Sequence, residues 1–239
     1  MPSSVVYLKV DRVPDAVCKA AKSVSVADLH EAMGAAQARL GLMSPRMRPL
    51  NRGLRIAGPA VTAYCGPGDN LMMHRALYLA QPGDVLVVVC QSETSGAQWG
   101  DVAARYAMHK GLAGVIVHGS IRDTDILEEL RFPVWSTAIS PTRPEKRSHG
   151  AVNVPVSCDG VIVNPGDLIV ADGDGVLCVP RSDAESAITL AQERMSREDG
   201  LLESIRQGEH IWDFGKMQQP YDALGVQEID AVYEAAKPK

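Results

Sequence analysis

Val85-Leu86-Val87-Val88-Val89-Cys90 is the longest strongly apolar run in the chain, and it follows the turn sequence Pro82-Gly83-Asp84. Six residues rich in β-branched side chains behind a Pro-Gly-Asp turn read as a buried strand. A bilayer-spanning helix needs about 20 such residues, so the run predicts a core element and no membrane span. Working outward, residues 60–64 read as a short strand and residues 71–79 as a helix. Beyond the run, residues 101–110 fit a helix, 114–118 a strand, 123–130 a helix and 134–137 a strand. Strand alternating with helix predicts an α/β fold.

The flanks differ in period. Residues 14–21 and 25–42 carry apolar side chains at helical spacing, with Ser25 and Asp28 resembling an N-cap and a first-turn acid, and Pro45 and Pro49 close this region. After Val152 the period drops to two: residues 154–156, 161–163, 167–171 and 176–179 predict a meander or hairpins, with Asp172-Gly173-Asp174-Gly175 as the last turn. Residues 182–205 predict a long helix with Ser182 as N-cap and Glu185 completing a capping box. Residues 207–239 are polar with scattered aromatics. Pro-Gly-Asp recurs at Pro67, Pro82 and Pro165, but the flanks do not match, so these read as turns and not as repeats.

Composition narrows the function classes. At 239 residues the chain holds one to two domains of roughly 150 residues each, and 46% apolar residues with 22% charged ones suffice for a packed core. No charged segment followed by an apolar one opens the sequence, so secretion is not indicated and a cytoplasmic protein is expected. Cys18, Cys65, Cys90, Cys158 and Cys178 are odd in number and unrelated in spacing, which supports neither a disulfide framework nor a zinc knuckle. A net charge of −5 with eleven aromatics argues against a nucleic-acid surface.

Most catalytic templates are absent: no nucleophile elbow, no Walker loop, no dinucleotide fingerprint, and no second His continuing His30-Glu31. Asp172 and Asp174 mimic the start of a calcium loop, but Val176 and Leu177 occupy ligand and glycine positions, so a hairpin turn is expected. Glu128 and Glu129 read as a solvated face. Two loops remain. In Gln98-Trp99-Gly100-Asp101-Val102-Ala103 a glycine precedes a helix whose free N–H groups can take a carboxylate. In Gly119-Ser120-Ile121-Arg122-Asp123 a guanidinium fork adjoins a hard oxygen ligand. Both loops leave the carboxyl ends of strands, where ligands sit in open α/β sheets.

A series of short motifs carries a resemblance. Gly58-Pro59-Ala60-Val61-Thr62, Pro67-Gly68-Asp69-Asn70, Pro82 to Val87, Trp99-Gly100-Asp101 and Gly119 to Asp123 occur in this order. Phe132-Pro133-Val134, Pro165-Gly166-Asp167 and Ala171 to Val176 follow. Together they resemble the RraA-like family over roughly residues 8–232, and most of all its branch of 4-hydroxy-4-methyl-2-oxoglutarate / 4-carboxy-4-hydroxy-2-oxoadipate aldolases of protocatechuate and gallate catabolism. The resemblance implies a three-layer α/β/β/α single domain over 1–239, with a core near 58–180 and a C-terminal helix and arm over 182–239 that packs on a neighbouring subunit. A homotrimer or homohexamer with sites at subunit interfaces is implied. So is a class II pyruvate aldolase that depends on Mg²⁺ or Mn²⁺ and acts on a small oxo-acid substrate.

Residue by residue, the resemblance makes Asp123 the protein ligand of the metal, with waters completing the shell. Arg122 binds substrate near its carboxylate and reacting oxygen, and backbone groups of Gly100, Asp101, Val102 and Ala103 hold the pyruvyl carboxylate. Asp101 and a glutamate of the adjacent subunit's C-terminal helix, best matched by Glu198 with Glu193 and Glu203 nearby, hydrogen-bond metal-bound water. The chemistry coheres: cleaving the C3–C4 bond of a 4-hydroxy-2-oxo acid leaves a pyruvate enolate, which a chelated cation stabilises. A Schiff-base route needs a desolvated lysine, but Lys110 lies at the far end of its helix and neither loop holds one. With no histidine placed as base, water polarised by Asp101 and Glu198 is expected to take the 4-hydroxyl proton. Three other readings stand beside this one: oxaloacetate decarboxylation at the same site, a related sugar-acid or dicarboxylate aldolase, and a protein that binds and inhibits an E-type ribonuclease. The regulators resemble this chain in the core but lack the long helix and tail.

Overall fold

The computed structural model describes residues 4–90, 92 and 95–232, the side chains of Ala35, Glu198 and Asp199 excepted. The chain forms two compact units, Met1–Arg194 and Met195–Lys239. In the first unit, strand β1 (Val5–Val6) precedes helices α1 (Asp15–Ala21), α2 (Val26–Met33) and α3 (Ala35–Gly41). Ser25 caps α2 as expected, its side chain accepting from the Asp28 N–H. The single helix expected over 25–42 is instead two, because Gly34 at φ 79° turns the chain between them. Strand β2 (Arg48–Pro49) then leads to the central alternation: β3 (Ile56–Cys65), α4 (Leu71–Leu79), β4 (Val85–Cys90), α5 (Asp101–Lys110), β5 (Gly114–Ile121), α6 (Thr124–Leu130) and β6 (Val134–Ile139). Short strands follow, β7 (Ala151–Val152), β8 (Val156–Cys158), β9 (Val161–Val163), β10 (Leu168–Ala171) and β11 (Val176–Val179), before helix α7 (Ala184–Arg206).

Strands β3, β4, β5 and β6 are mutually parallel and sit in the sheet order β1-β7-β3-β4-β5-β6-β2. All six residues of β4 are buried, as befits a strand covered on both faces. On one face Val61, Leu86, Val88, Val115 and Val117 pack against Met73, Ala76 and Leu77 of α4, Ala104 and Ala107 of α5 and Leu127 of α6. On the other, Val85, Val87, Ile116 and Trp135 meet Val156, Val163, Ile169 and Val176 from the later strands, with Met43 and Met47 alongside. This is a helix layer, a main sheet, a second β layer and then α2 and α3: the α/β/β/α order expected, but four layers where three were counted. β8 pairs β9 and β10 pairs β11, both antiparallel, so the predicted hairpins form. Asp172-Gly175 is their turn, closed by the Asp172 N–H donating to the Gly175 carbonyl at 3.0 Å. Asp172 itself accepts from the Val26 and Asp174 N–H groups, consistent with the hairpin reading over a calcium loop.

Three strands exceed their sequence forecast, β6 by two residues at its end and β3 and β5 by more. β3 begins at Ile56, because residues 56–59 pair antiparallel with β10 while residues 60–65 pair parallel with β4. β5 runs on to Ile121 through a bulge, where His118 and Gly119 oppose only Thr137 between the pairs Val117–Ser136 and Ser120–Ala138. Helix α7 starts at Ala184, and the carbonyl of Asp183 accepts the first helical bond from Ala187. Asp183 thus takes the N-cap position in place of Ser182, whose hydroxyl donates to the Asp183 carboxylate.

The three Pro-Gly-Asp segments are turns of one design. Gly68, Gly83 and Gly166 have φ of 68°, 86° and 91°, and the Asp N–H bonds back three residues at 3.1 Å in each, the pattern of a type II turn. Each Asp is buried, and it does more than close the turn. Asp84 takes a two-pronged ion pair from Arg12, with both distances 2.8 Å. Asp167 accepts from Asn164 and Arg181 N–H groups. Asp69 accepts from the N–H groups of Leu71, Arg147 and Ser148.

The second unit holds the end of α7, then α8 (Ile211–Phe214) and α9 (Gln218–Ala223). Trp212 stands edge-on to Tyr221 at 5.2 Å and donates to Gln218 at 3.0 Å. No helix among the described residues is long and apolar enough to cross a membrane.

Candidate active site

A cavity of about 430 Å³ opens where β4 and β5 end, between the start of α5 and the loop entering α6. Both loops singled out from the sequence line it: Gln98, Trp99, Gly100, Asp101, Val102 and Ala103 on one side, Arg122 and Asp123 on the other. Backbone pairing brings them together. The Gln98 N–H donates to the Ser120 carbonyl at 2.7 Å, and the Arg122 N–H to the Trp99 carbonyl at 3.0 Å. The bulge in β5 supports this turn, with Gly119 at φ 154° and its N–H donating to the Thr137 hydroxyl at 3.0 Å.

Asp123 sits in the left-handed region at φ 59°, ψ 37°, at the N-cap of α6. A non-glycine residue there costs about 1 kcal/mol, and such strain gathers at functional sites. The conformation turns its carboxylate back toward α5, where Oδ2 accepts the Asp101 N–H at 3.3 Å and lies 3.4 Å from Arg122 Nε. A Cβ on Gly100 would stand 2.5 Å from that oxygen and 3.2 Å from Arg122 Cγ, so only glycine fits here without moving the carboxylate. Asp101 is a quarter exposed, with its own carboxylate 3.6 Å from Arg105 Nε one turn on. The first-turn amides of Val102 and Ala103 have no partner within their helix, and the helix dipole adds positive potential at the cavity wall.

Trp99 is buried and stacks on Phe132 at 5.9 Å, so it forms the base beneath the cavity. Four polar side chains to which the sequence reading gave no role also line the cavity: Asn70, His74, Arg143 and Lys146. Asn70 follows a Pro-Gly-Asp turn and caps α4, a position readable only as a turn. Arg143 and Lys146 come from a loop after β6 with no periodic signal. Burial, and then the charge of Lys146, lower the pKa of His74 below the ordinary imidazole value.

Of the three C-terminal glutamates, Glu203 bonds Arg206 and Gln207 on its own helix, at 3.2 Å each. Glu193 is exposed on α7, and the side chain of Glu198 lies outside the described residues. Asp123 and Asp101 form a hard, all-oxygen donor set, and no cluster of three His, Cys, Asp or Glu exists among the described residues. Such a pair fits a Mg²⁺- or Mn²⁺-type ion that draws the rest of its shell from water and substrate. The space that a Gly100 Cβ would fill is what leaves Asp123 Oδ2 open to it.

The family described as RraA-like: Aldolase/RraA matches residues 26–178. A protein of Halalkalibacterium halodurans, provisionally named 4-hydroxy-4-methyl-2-oxoglutarate aldolase, is 36% identical over 163 residues, covering 68% of this chain and 78% of the relative. Among solved structures, Streptomyces coelicolor RraAS2, described as an unusual member of the RNase ES inhibitor RraA protein family, is similar at a TM-score of 0.68 and 31% identity, covering 80% of this chain and 98% of that one. An uncharacterised protein of Pseudomonas syringae pv. tomato shares the fold at a TM-score of 0.75 and 24% identity, covering 85% of this chain and 98% of that one.

Proposed function

Because the chain belongs to the Aldolase/RraA family, we propose that it is a divalent-metal-dependent pyruvate aldolase. Its substrate would be 4-hydroxy-4-methyl-2-oxoglutarate or 4-carboxy-4-hydroxy-2-oxoadipate, cleaved to pyruvate plus pyruvate or oxaloacetate. One observation carries the reading: Gly100, Asp101, Arg122 and Asp123 meet on one cavity at the strand ends, with Asp123 in a strained backbone conformation.

The Val102 and Ala103 amides at the start of α5 take the pyruvyl carboxylate, aided by the helix dipole. Arg122, whose terminal nitrogens have no partner among the described residues, binds beside the reacting oxygen. Asp123, steadied by the Asp101 N–H, would hold the cation. Such a cation would supply Lewis-acid stabilisation of the negative charge that develops on the oxo acid. Asp101 accepts the 4-hydroxyl proton through one water, and Glu198 of a neighbouring subunit completes that side of the site. Lys146 is exposed at the mouth, whereas a Schiff-base lysine needs a desolvated pocket, so the family's metal route remains the better account.

An apolar groove of about 300 Å³ supports a trimer or hexamer with shared sites. It runs between α4 and α5, is lined by Leu77, Tyr78, Val102 and Tyr106, and meets the cavity at His74 and Ala103. Val102, 74% exposed at the first turn of α5, is where a neighbouring subunit would close the cavity from water.

Pyruvate release coupled to lactate dehydrogenase, with and without EDTA, tests the reading. Full activity in chelator, or none on any 4-carboxylated 4-hydroxy-2-oxo acid, would sink it. Oxaloacetate decarboxylation, compared by kcat/KM, ranks the two reactions of one site. The likeness to RraAS2 supports a second reading, protein-mediated inhibition of an E-type ribonuclease. Tight binding to such a ribonuclease without pyruvate release would favour it.

A further inference from the structure

All five cysteines are free thiols, and all are buried. Two of them share a rung of the main sheet. Cys65 ends β3 and Cys90 ends β4, and the two are register partners at the last step of the parallel ladder between these strands. Partners in such a ladder point to the same face. Cys65 packs in the helix-side cluster with Val61 and Ala63, and Cys90 follows Leu86 and Val88 to that side by alternation. The Cys90 thiol donates to the Gly66 carbonyl at 3.6 Å, so it already leans across the ladder to the residue beside Cys65. The other three are placed differently: Cys158 opposes Val161, Cys178 opposes Ile169, and Cys18 lies on α1.

Both ends of this rung are roots of the candidate site. Gly66 leads into Pro67-Gly68-Asp69-Asn70, and Asn70 lines the cavity. Cys90 is the last residue of β4, the strand whose outgoing segment leads to Gln98 and Gly100. It also packs against the bulge of β5. A Cβ on Gly119 would stand 3.3 Å from Cys90 Cβ, and Arg122 and Asp123 follow a few residues on.

We propose that Cys65 and Cys90 form a reversible oxidation site, at which a peroxide joins the two thiols as a disulfide and lowers turnover in the adjoining cavity. The Cys90 thiol, 4% exposed against 1% for Cys65, meets the oxidant first. Its sulfur bonds one peroxide oxygen as the O–O bond breaks, which gives a sulfenic acid and one water. The Cys65 sulfur then displaces the sulfenic hydroxyl, which leaves as a second water with the Cys65 proton. Two thiols lose two electrons and two protons, and the peroxide becomes two waters. Burial pushes the Cys65 thiol up to about 12, and since the thiolate is the nucleophile, closure quickens as pH rises.

The bridge moves the site because it does not fit the ladder at rest. Neighbouring strands are about 4.8 Å apart, whereas the Cβ atoms of a disulfide are about 3.8 Å apart. Closure therefore draws the two strand ends together by about 1 Å, and a bridge made under such strain is easily reduced. Misplacing a reacting group by ~1 Å costs about 100-fold in rate, and this displacement starts beside Gly119 and Gly66. The covalent step stands apart from the aldolase reading; its effect on pyruvate release rests on that reading.

The test treats the full chain with hydrogen peroxide and maps its tryptic peptides. Cleavage at Arg55, Arg75 and Arg105 puts Cys65 and Cys90 on separate peptides, 56–75 and 76–105. They should appear joined, two hydrogens lighter than their sum, and form faster at pH 9 than at pH 7. Pyruvate release should fall about 10- to 100-fold and return with dithiothreitol. Cys65→Ala and Cys90→Ala should each keep wild-type turnover when reduced and lose the inactivation that dithiothreitol reverses. Calorimetric binding of oxalate with Mg²⁺ reads the same cavity without turnover, and should weaken on oxidation and recover on reduction. A reduced wild type that releases no pyruvate overturns the aldolase reading, and the peptide map then decides this inference by itself. Peptides that stay separate or join to other cysteines overturn it, as does a joined pair with turnover and oxalate binding unchanged.

Discussion

Replacing Gly100 with alanine separates the candidate site from the fold. Gly100 has φ −162° and ψ −171°, extended backbone that alanine adopts freely, so the chain gains no strain and loses unfolded-state entropy. The added methyl, however, would lie 2.5 Å from Asp123 Oδ2, against an ordinary contact of at least 3.4 Å. One of the two must give by about 0.9 Å, and the Gly100 backbone is held because its carbonyl accepts the Ala104 N–H at 3.1 Å. The carboxylate therefore swings away, breaking its bond from the Asp101 N–H, and Arg122 Cγ at 3.2 Å is pushed with it. Misplacing a reacting or ligating group by ~1 Å costs about 100-fold in rate. The expected result is a protein whose melting temperature stays within about 3 °C of wild type. Its kcat/KM for pyruvate release falls about 100-fold, and its half-activating Mg²⁺ concentration rises at least about tenfold. Coupled assays over a Mg²⁺ titration, with thermal unfolding in parallel, read all three. A Gly100→Ala variant within about threefold of wild type in both kinetic measures would show that Asp123 is not the cation's ligand as reasoned.

Further expectations follow from the same geometry. Asp123→Ala should abolish metal-dependent turnover and Arg122→Ala should lower it by at least about 100-fold, both as folded proteins by circular dichroism. Arg12→Ala leaves Asp84, 0% exposed, without its two-pronged partner and should cost about 3–5 kcal/mol in urea unfolding, with pyruvate release at 25 °C little changed. At Asp69, burial works to raise the carboxyl pKa, but the N–H groups of Leu71, Arg147 and Ser148 outweigh it and hold the group below the ordinary 3.8. A lowered folded value stabilises the protein above the unfolded pKa and is lost as pH falls through the folded one. The advantage of wild type over Asp69→Asn in urea melts should therefore be complete at pH 7 and shrink below about pH 3.8; an advantage constant down to pH 2 would contradict it.

What the sequence revealed, and what it hid, divides along the range of the interactions involved. Helices α4 and α5 and strand β4 fall where residue pattern places them, because each is bounded by local signals: Pro-Gly-Asp before β4, Gly100 before α5, Gly111 after it at φ 76°. The pair Arg122-Asp123 was legible for the same reason, as a short polar step straight off a strand end. Residues 56–59 lay outside the strand expected over 60–64, since Gly58 and Pro59 are poor strand formers, and only pairing with distant β10 makes them strand. The break at Gly34 was hidden because apolar spacing continues across it. Arg143 and Lys146 were hidden most deeply, since nothing near them predicts that Asp69, 74 positions before Arg143, anchors their loop. Glu198 was placed by resemblance alone.

The double allegiance of β3 bears on how the protein is made. Its second half can zip to β4 as soon as residues 85–90 leave the ribosome, whereas its first half waits for β10, and Pro59 and Leu168 are 109 positions apart. At a translation rate of about 5–20 residues per second, Ile56–Pro59 spends roughly 5–20 s as an open strand edge on a half-built sheet. Over that interval the nascent chain offers unpaired backbone groups to any other strand nearby, including those of its sister chains on the same message. Slow codons or a stall before residue 168 would lengthen the exposure, and a chain cut there would carry the open edge permanently. The strand that binds the two β layers into one body is thus also the point at which the pace of synthesis governs the yield of folded protein.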